Sequence, residues 1–219
     1  NYDKDHISII ENPIMVKLNS HNLKKQLNIE HKFVYGRIAR DSKEIYSPIN
    51  LLAYKKIESA KTVFLYVNPT LQAREDAKRL KISNIIFLDG TINSHEVSNI
   101  YNTFDVCCHS NRLGETFGNT LGEAISHSKV VISHVGNRNY PQSHRLFFKN
   151  CESLIIPDNY IESNFNVIAT KYSYNMIKLQ DTLFYQKILN LQKNNIKPYN
   201  IVTIGKKYTD LFKKIILPR

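Results

Sequence analysis

Short runs of β-branched and aromatic residues alternate with longer amphipathic stretches along most of this 219-residue chain. Each run has the length of a buried strand, and the stretches between have the period of a helix that covers one face of a sheet. We expect strands at residues 32–35, 62–67, 84–88, 105–109, 129–134 and 153–156, and helices at residues 48–58, 71–80, 94–104 and 119–127. The alternation predicts an α/β fold, a parallel sheet with helices on both faces.

The C-terminal tail reads as two helices from Asp181 onward, with Pro198 and Asn200 between them. The second helix carries an apolar stripe, and its lysines lie on the other side; the stripe consists of Ile201, Ile204, Tyr208, Leu211, Phe212 and Ile215. At the end of an α/β domain we expect this helix to pack on its own sheet. The alternative is a basic amphipathic helix that rests on a membrane.

The chain carries 30 Lys and Arg against 19 Asp and Glu, a formal net charge of +11. This excess would suit phosphate, nucleic acid or an acidic membrane. The cations are spread along the whole chain without a block of five or more, so we expect no nucleic-acid partner.

Three cysteines, Cys107, Cys108 and Cys151, are an odd number without a C-x-x-C pair, which argues against a disulfide framework or structural zinc site. We read Cys107 and Cys108 as small core residues. Asp3 and Asp5 spell D-x-D at the N-terminus with no strand around them, so we expect no metal and no cofactor there. The sequence shows neither a signal peptide nor an apolar run of the ~18 residues that span a bilayer, which favours a cytoplasmic protein.

Cations cluster where the first expected strand ends. Gly36 is expected at the turn, and Arg37, Arg40 and Lys43 follow within a few residues. In an open parallel sheet, ligands bind at the carboxyl ends of the strands. An Arg fork and a Lys point charge there can clamp a diphosphate, or the segment is a solvated loop with a turn at Arg40.

Residues 110–124, after the fourth expected strand, form a glycine-punctuated segment that leads into a helix. Unpaired amides at Gly118, Asn119 and Thr120 would favour an anionic group such as a phosphate. Glu123, just over a turn into that helix, can accept hydrogen bonds from ribose hydroxyls, and Glu115 can reach another part of the same ligand. Alternatively, Glu115 is an exposed loop acid and Glu123 a helix-surface residue.

Other side chains near this segment have open interpretations. Phe117, next to Thr116, either packs beneath a sugar or plugs the loop. His109 and His134 end the fourth and fifth expected strands, and we expect imidazoles there to satisfy backbone groups rather than to act in catalysis.

The segments GRIARDSK, NIIFLDG and above all GETFGNTLGEA resemble the donor-binding C-terminal lobe of GT-B glycosyltransferases, in particular the large retaining group called glycosyltransferase family 4. Residues 33–135 carry the likeness, which includes the family's E-x7-E motif. YNIVTIGKKYTDLFKKI resembles the family's closing helices. The likeness implies a Rossmann-like fold, with residues 1–16 linking to a missing N-terminal lobe, residues 17–199 forming a nucleotide-sugar-binding domain, and residues 200–219 a closing helix.

The resemblance implies retaining, metal-independent glycosyl transfer from a UDP- or GDP-sugar to an acceptor that the sequence does not specify. Arg37 and Lys43 would hold the donor diphosphate, Glu115 the sugar and Glu123 the ribose, with Arg37, Lys43 and Glu115 as catalytic residues. The full set of implied donor-binding residues is Gly36, Arg37, Lys43, Glu115, Thr116, Phe117, Gly118, Asn119, Thr120 and Glu123.

The implied partners are the nucleotide-sugar donor and the N-terminal lobe, with a possible peripheral membrane contact through the full-length protein. Without that lobe the domain is expected to be inactive, and the alternative function is a non-catalytic nucleotide-binding or interaction module. The chain departs from the family's pattern at Glu44, where glycine is usual, and at residues 136–140, where Gly-Gly-x-Pro-Glu is frequent.

Overall fold

Six parallel strands form one sheet in the computed structural model, which describes residues 8–216. The strands are β1 (Phe33–Ile38), β2 (Thr62–Val67), β3 (Ile85–Leu88), β4 (Val106–Cys108), β5 (Val130–His134) and β6 (Ile155–Ile156). Their order is β3-β2-β1-β4-β5-β6, so the direction of winding reverses between β1 and β4. This reversal opens a crevice at the carboxyl ends of β1 and β4. The predicted α/β class and all six strands are confirmed.

Seven α-helices lie within residues 8–216: α1 (Ile49–Ile57), α2 (Leu71–Arg79), α3 (Ser94–Thr103), α4 (Asn119–Ser126), α5 (Phe165–Lys178), α6 (Thr182–Ile196) and α7 (Ile201–Ile216). The four helices expected between strands and the two tail helices are confirmed. Asn93 caps α3, because its side chain accepts from the His95 amide at 2.9 Å.

Helix α5 was not anticipated from the sequence. It buries Ile168, Ala169, Tyr172 and Met176, which recur with helical spacing. The Tyr172 hydroxyl lies 2.9 Å from the carbonyl oxygens of both His109 and Ile132. One phenol therefore joins the carboxyl ends of β4 and β5 and helps to fix the wall of the crevice.

The core contains all of β2 and the three cysteines, each of which is buried as a free thiol. Burial raises the pKa of the Cys107 thiol to about 12, so it stays protonated at neutral pH. The expectation that Cys107 and Cys108 are core residues is confirmed.

Strand β1 extends further than the sequence predicts. Gly36 and Arg37 lie inside it rather than in a turn after it. A Cβ at Gly36 would come within 2.0 Å of the Phe104 ring, so glycine is required here for close packing across the strand. The expected turn at Gly36 was wrong because this packing depends on a residue far away in the chain.

The expected packing of the last helix on the sheet was also wrong. Of the apolar stripe on α7, Ile204 is buried, whereas Ile201, Phe212 and Ile215 are 52%, 55% and 65% exposed. The helix starts anew at Asn200, whose side chain accepts from the Thr203 amide at 2.9 Å. Lys207 ties α7 to Glu11 through a 2.6 Å ion pair. Most of the apolar face of α7 is therefore exposed.

Residues 1–7 and 217–219 lie outside the described part of the chain, and so do Asp3 and Asp5. The division at residues 16 and 199 stays a prediction. Within residues 8–216, no helix combines the length and apolar character that crossing a membrane requires.

Candidate functional site

The crevice beside β1 and β4 contains a cavity of about 250 Å³. Its wall is built from residues 37–40 at the end of β1 and from residues 109–111 and 115–120 after β4, with Asn12 at its rim. The two segments singled out in the sequence therefore meet around one hollow, as the position of the switch in strand order requires.

A second cavity of about 750 Å³ continues the first along the carboxyl ends of β2 and β3. The two share wall residues Ile38, Ala39, Arg40 and Thr120, and the second adds Asn68, Gly90, Thr91, Tyr101 and Glu123. The two adjoining cavities are together called the cleft; Glu115 lines the first cavity and Glu123 lines the second. A ligand with several linked polar parts would fit this shape.

Glu115 lies in the first cavity and is fixed at both its backbone and its side chain. Its amide donates to the Pro141 carbonyl and its own carbonyl accepts from the Ser143 amide, each at 3.1 Å. Oε1 accepts a 2.9 Å hydrogen bond from the side-chain Nδ2 of Asn111 and lies 2.9 Å from Nε2 of His109. Within residues 8–216, Oε2 has no hydrogen-bond partner, which leaves this oxygen open to the cavity.

Electrostatics hold Glu115 as a carboxylate. Burial alone would favour the neutral acid, since its side chain is 23% exposed, but the hydrogen bonds from His109 and Asn111 and the nearby imidazoles outweigh burial. The pKa of Glu115 falls to about 2. A carboxylate with one committed and one open oxygen is an acceptor for ligand hydroxyl groups.

The role of His109 escaped the sequence interpretation, which expected its imidazole to satisfy backbone groups. Nδ1 lies 2.8 Å from Oγ of Ser133 on β5, and Nε2 faces Glu115. The available signal was position: His109 directly follows β4 and precedes Glu115 in the loop on the same edge of the sheet.

The start of α4 offers backbone donors to the same cavity. Gly118 precedes the helix with φ +96°, a left-handed conformation that favours glycine. The amides of Asn119 and Thr120 come first in the helix, where N–H groups have no partner in their own helix. The first turn of α4 contains no acidic residue. The positive end of its dipole therefore faces the cavity, and no acidic side chain in the helix's own first turn offsets it.

Arg37 differs from the free phosphate fork that the sequence suggested. Its side chain is buried, with 3% exposed, and it donates through Nε to the Tyr66 hydroxyl at 3.0 Å. Nη1 donates to Oδ1 of Asn50 at 3.2 Å and to the Ser110 carbonyl. Arg37 thus joins β1, α1 and the end of β4 and contributes charge to the cavity wall. Arg40 is exposed and borders both cavities.

Lys43 is not brought to the site. It lies in a separate groove of about 640 Å³ together with Gln72, Arg112 and Tyr160. The Arg112 amide donates to the Ile45 carbonyl at 3.1 Å, and this bond joins the two loops between the groove and the cavity. The expected convergence of Lys43 with Arg37 and Glu115 is therefore not found, because the loop runs along the other side of this wall.

The remaining predicted residues have varied placements. Thr116 is exposed on the cavity wall, whereas Gly36 lies within β1 and not among the wall residues. Phe117 is 7% exposed and packs edge-on against Phe147 and Tyr199, with ring centroids 5.4 Å apart in each case. Of the two interpretations of Phe117, the structure favours the ring that plugs the loop.

No group of three or more His, Cys, Asp and Glu side chains within residues 8–216 is arranged to hold a metal ion. Metal independence of any reaction stays a prediction.

No family model matches the sequence, and no curated protein matches it. Solved structures are similar in fold. A glycosyltransferase from Rickettsia africae ESF-5 has a TM-score of 0.77 at 16% identity, and the match covers 99% of this chain and 59% of that chain. Anabaena Alr3699/HepE in complex with UDP and glucose has a TM-score of 0.69 at 15% identity, over 87% of this chain and 50% of that chain.

A third structure shows which domain of a glycosyltransferase this chain is similar to. The C-terminal domain of LpcC, a glycosyl transferase group 1 family protein from Francisella tularensis, has a TM-score of 0.65 at 15% identity. That match covers 86% of this chain and 96% of that domain. The fold is that of a GT-B glycosyltransferase C-terminal domain. This chain spans between half and three-fifths of the first two solved chains.

Proposed function

We propose that the cleft binds a nucleoside diphosphate sugar as the donor for glycosyl transfer. The observation that carries the proposal is Glu115, a carboxylate with an open oxygen, in the same cavity as the amides that begin α4. A hydroxyl-rich ring suits the carboxylate, and a diphosphate suits the amides. The proposal is supported by similar folds solved with such ligands, HepE with UDP and glucose and pneumococcal GtfA with UDP and GlcNAc.

The proposed ligand follows the cleft from end to end. The sugar lies against Oε2 of Glu115, the diphosphate beside Asn119 and Thr120, and the ribose against Glu123 in the second cavity. The base continues toward Asn68. Arg40, which borders both cavities, takes the phosphate contact that the sequence assigned to Lys43.

The chemical task of this domain is to orient the donor and to stabilise negative charge on the departing diphosphate. The α4 amides and the charges of Arg37 and Arg40 supply fixed positive potential where that charge develops. Glu115 holds the sugar in one orientation, which limits the positions from which an acceptor attacks. The fold positions the α4 amides, Arg37 and Glu115 before the ligand arrives, and Arg40 adds its charge as an exposed side chain.

The finer points extend the resemblance to family 4. We propose a retaining, metal-independent reaction with a UDP- or GDP-sugar, in which an N-terminal lobe supplies the acceptor site. The domain without that lobe would bind the donor and transfer nothing. A cytoplasmic location agrees with a nucleotide-sugar donor.

Isothermal titration with UDP-glucose, UDP-GlcNAc, GDP-mannose and ADP-glucose tests the proposal. We expect one base to be selected and Arg40→Ala to weaken binding about fivefold to tenfold, because it removes a charge-assisted contact. Lys43→Ala is the matched control and should bind like the parent. No binding heat with any of the four at millimolar concentration would refute donor binding.

The same titration with a short oligonucleotide tests whether the +11 charge serves nucleic acid instead. Backbone binding to DNA falls steeply with salt, whereas a single nucleotide-sugar site responds mildly. We expect no salt-dependent oligonucleotide binding comparable with that of the selected donor.

A further inference from the structure

His109 must carry a proton on the nitrogen that faces Glu115. Its Nε2 lies 2.9 Å from Oε1, and a carboxylate accepts hydrogen bonds without donating any. Glu115 is ionised, so Nε2 is the donor. The charge of the His109 ring then depends on its other nitrogen alone.

The Ser133 hydroxyl can form a hydrogen bond with Nδ1 of His109 whether that nitrogen is protonated or not. Its hydroxyl lies 2.8 Å from Nδ1 of His109 and 3.2 Å from the carbonyl oxygen of His134. When the hydroxyl donates to Nδ1, His109 is neutral. When it turns to the His134 carbonyl, Nδ1 can donate to Oγ and His109 is an imidazolium. A rotation of one hydroxyl thus accommodates both charge states without moving a heavy atom.

The other titratable groups that face His109 cannot replace it as the proton acceptor. His144, with its ring centroid 6.0 Å away, donates through Nε2 to the His134 carbonyl at 3.2 Å, and burial lowers its pKa to about 4. His134 accepts from the Gly136 amide at Nδ1 at 2.8 Å, and burial lowers its pKa well below the usual range. Arg37, on the cavity wall, is a fixed positive charge. His109 alone in this group has a carboxylate against its ring.

We propose that His109 is a positioning residue that orients Glu115 and takes up a proton when the anionic donor binds. The inference rests on the proposed function. The proton comes from the solvent and forms a bond to Nδ1 as Ser133 turns away, which changes the charge of the His109–Glu115 pair from −1 to 0. A diphosphate in the same cavity adds negative charge, and negative charge favours the imidazolium.

The role of the proton is to remove repulsion between Glu115 and the phosphates without neutralising Glu115 itself. The carboxylate keeps Oε2 as an acceptor for sugar hydroxyls while its charge is balanced by the imidazolium on Oε1. A neutral glutamic acid would present a donor at one oxygen and would select different hydroxyl orientations. Donor affinity should therefore increase as the pH falls.

Calorimetry with UDP-glucose, or GDP-mannose if guanine is selected, measures the uptake directly. Titrations at pH 7.5 in buffers of different ionisation enthalpy give the number of protons bound with the ligand, and these sugar esters have no titrating phosphate near that pH. We expect an uptake approaching one proton and an affinity that increases from pH 8.5 to pH 6.5, by at most about tenfold per pH unit.

Two substitutions test separately the proton uptake by His109 and its hydrogen bond to Glu115. His109→Gln places an amide nitrogen near the position of Nε2 and cannot be protonated, so it should bind the donor with no proton uptake and with the same affinity at both pH values. His109→Asn places its amide near Nδ1 and loses the bond to Glu115. We expect it to lose affinity for the sugar ester while it binds the nucleoside diphosphate as the His109→Gln variant does.

Equal proton uptake in the parent and in His109→Gln, or none in the parent, would overturn the inference while donor binding stands. Absence of any donor binding would overturn the proposed function as well. Nitrogen-15 NMR of the free parent tests the pair independently of ligand and of variant folding. A neutral His109 with its proton on Nδ1 in the unliganded protein would contradict the assignment.

Discussion

The Tyr101 hydroxyl donates a 2.7 Å hydrogen bond to Oε2 of Glu123. Tyr101 is on α3 and Glu123 is on α4, and both border the second cavity. Burial, with the adjacent carboxylate, raises the pKa of the Tyr101 phenol well above its usual range, so the phenol remains the donor at neutral pH. One carboxylate oxygen of Glu123 is committed to this bond, which fixes the direction of the other.

Glu123→Ala should remove discrimination for the ribose. Hydrogen bonds to a charged acceptor contribute about 1.5–3 kcal/mol, so we expect UDP or GDP to bind at least about tenfold more weakly. The 2′,3′-dideoxy nucleotide should bind the variant and the parent equally, as calorimetry can measure. Tyr101→Phe, which keeps the Glu123 carboxylate, should lose less affinity for UDP or GDP. If the parent already ignores the ribose hydroxyls, Glu123 has no such role.

Glu115→Gln should lower stability in a pH-dependent way. The folded-state pKa of about 2 is below the ordinary 4.5, so the carboxylate's contribution is complete above about pH 4.5 and is lost as the pH falls towards 2. We expect urea unfolding to show a loss of about 2 kcal/mol at pH 7 that shrinks below pH 4. Glu75→Gln, on the exposed surface of α2, is the control. A loss that does not change with pH would contradict an ionised Glu115.

Replacement by alanine should affect protein stability at Arg37 and donor affinity at Arg40. Arg37→Ala leaves the carbonyl of Ser110 and Oδ1 of Asn50 without their donor, so the free energy of unfolding should fall by about 3 kcal/mol. Arg40→Ala should change donor affinity and leave stability within about 0.5 kcal/mol. Thermal unfolding beside donor titration distinguishes them. Similar stability losses in both variants would show that Arg40 is also structural.

Gly36→Ala should strongly destabilise the fold although it adds only one methyl group. The added methyl group would meet the Phe104 ring at 2.0 Å, and we expect a cost of about 3 kcal/mol from overpacking. Gly205→Ala on α7 is a matched control, because nothing lies within 4 Å of its added carbon. That substitution should stabilise the helix by up to about 1 kcal/mol. Urea unfolding that ranks the two variants in the reverse order would contradict this account of β1.

The strands, and the meeting of the two site segments, could be predicted because they depend on local patterns. Apolar runs mark strands wherever they lie, and the rule that ligands bind at a switch in strand order brings residue 37 to residue 118. The start of α4 at Asn119 was likewise marked by the glycine before it.

The individual side-chain roles depended on contacts that the sequence does not display. Arg37 is buried with its guanidinium paired to Tyr66, Asn50 and Ser110, and Lys43 lies in the separate groove. The His109–Glu115 pair depends on the loop that carries Glu115, which is held against the loop after β5. The two loops approach so closely that a Cβ at Gly136 would come within 2.2 Å of the Gly114 nitrogen. Such close approaches between distant segments have no local signature.

The uncovered stripe on α7 also affects how the protein behaves in solution. Tyr208, Phe212 and Ile215 are exposed apolar side chains on α7 that can contact the same surface of another copy. Lys206 and Lys213 are exposed cations on the same helix. Added salt screens the repulsion between these cations and leaves apolar attraction in place. Light scattering should therefore show self-association that increases with salt, and Phe212→Ser should suppress it. Dilute, low-salt preparations would then be the best state for the donor titrations described above.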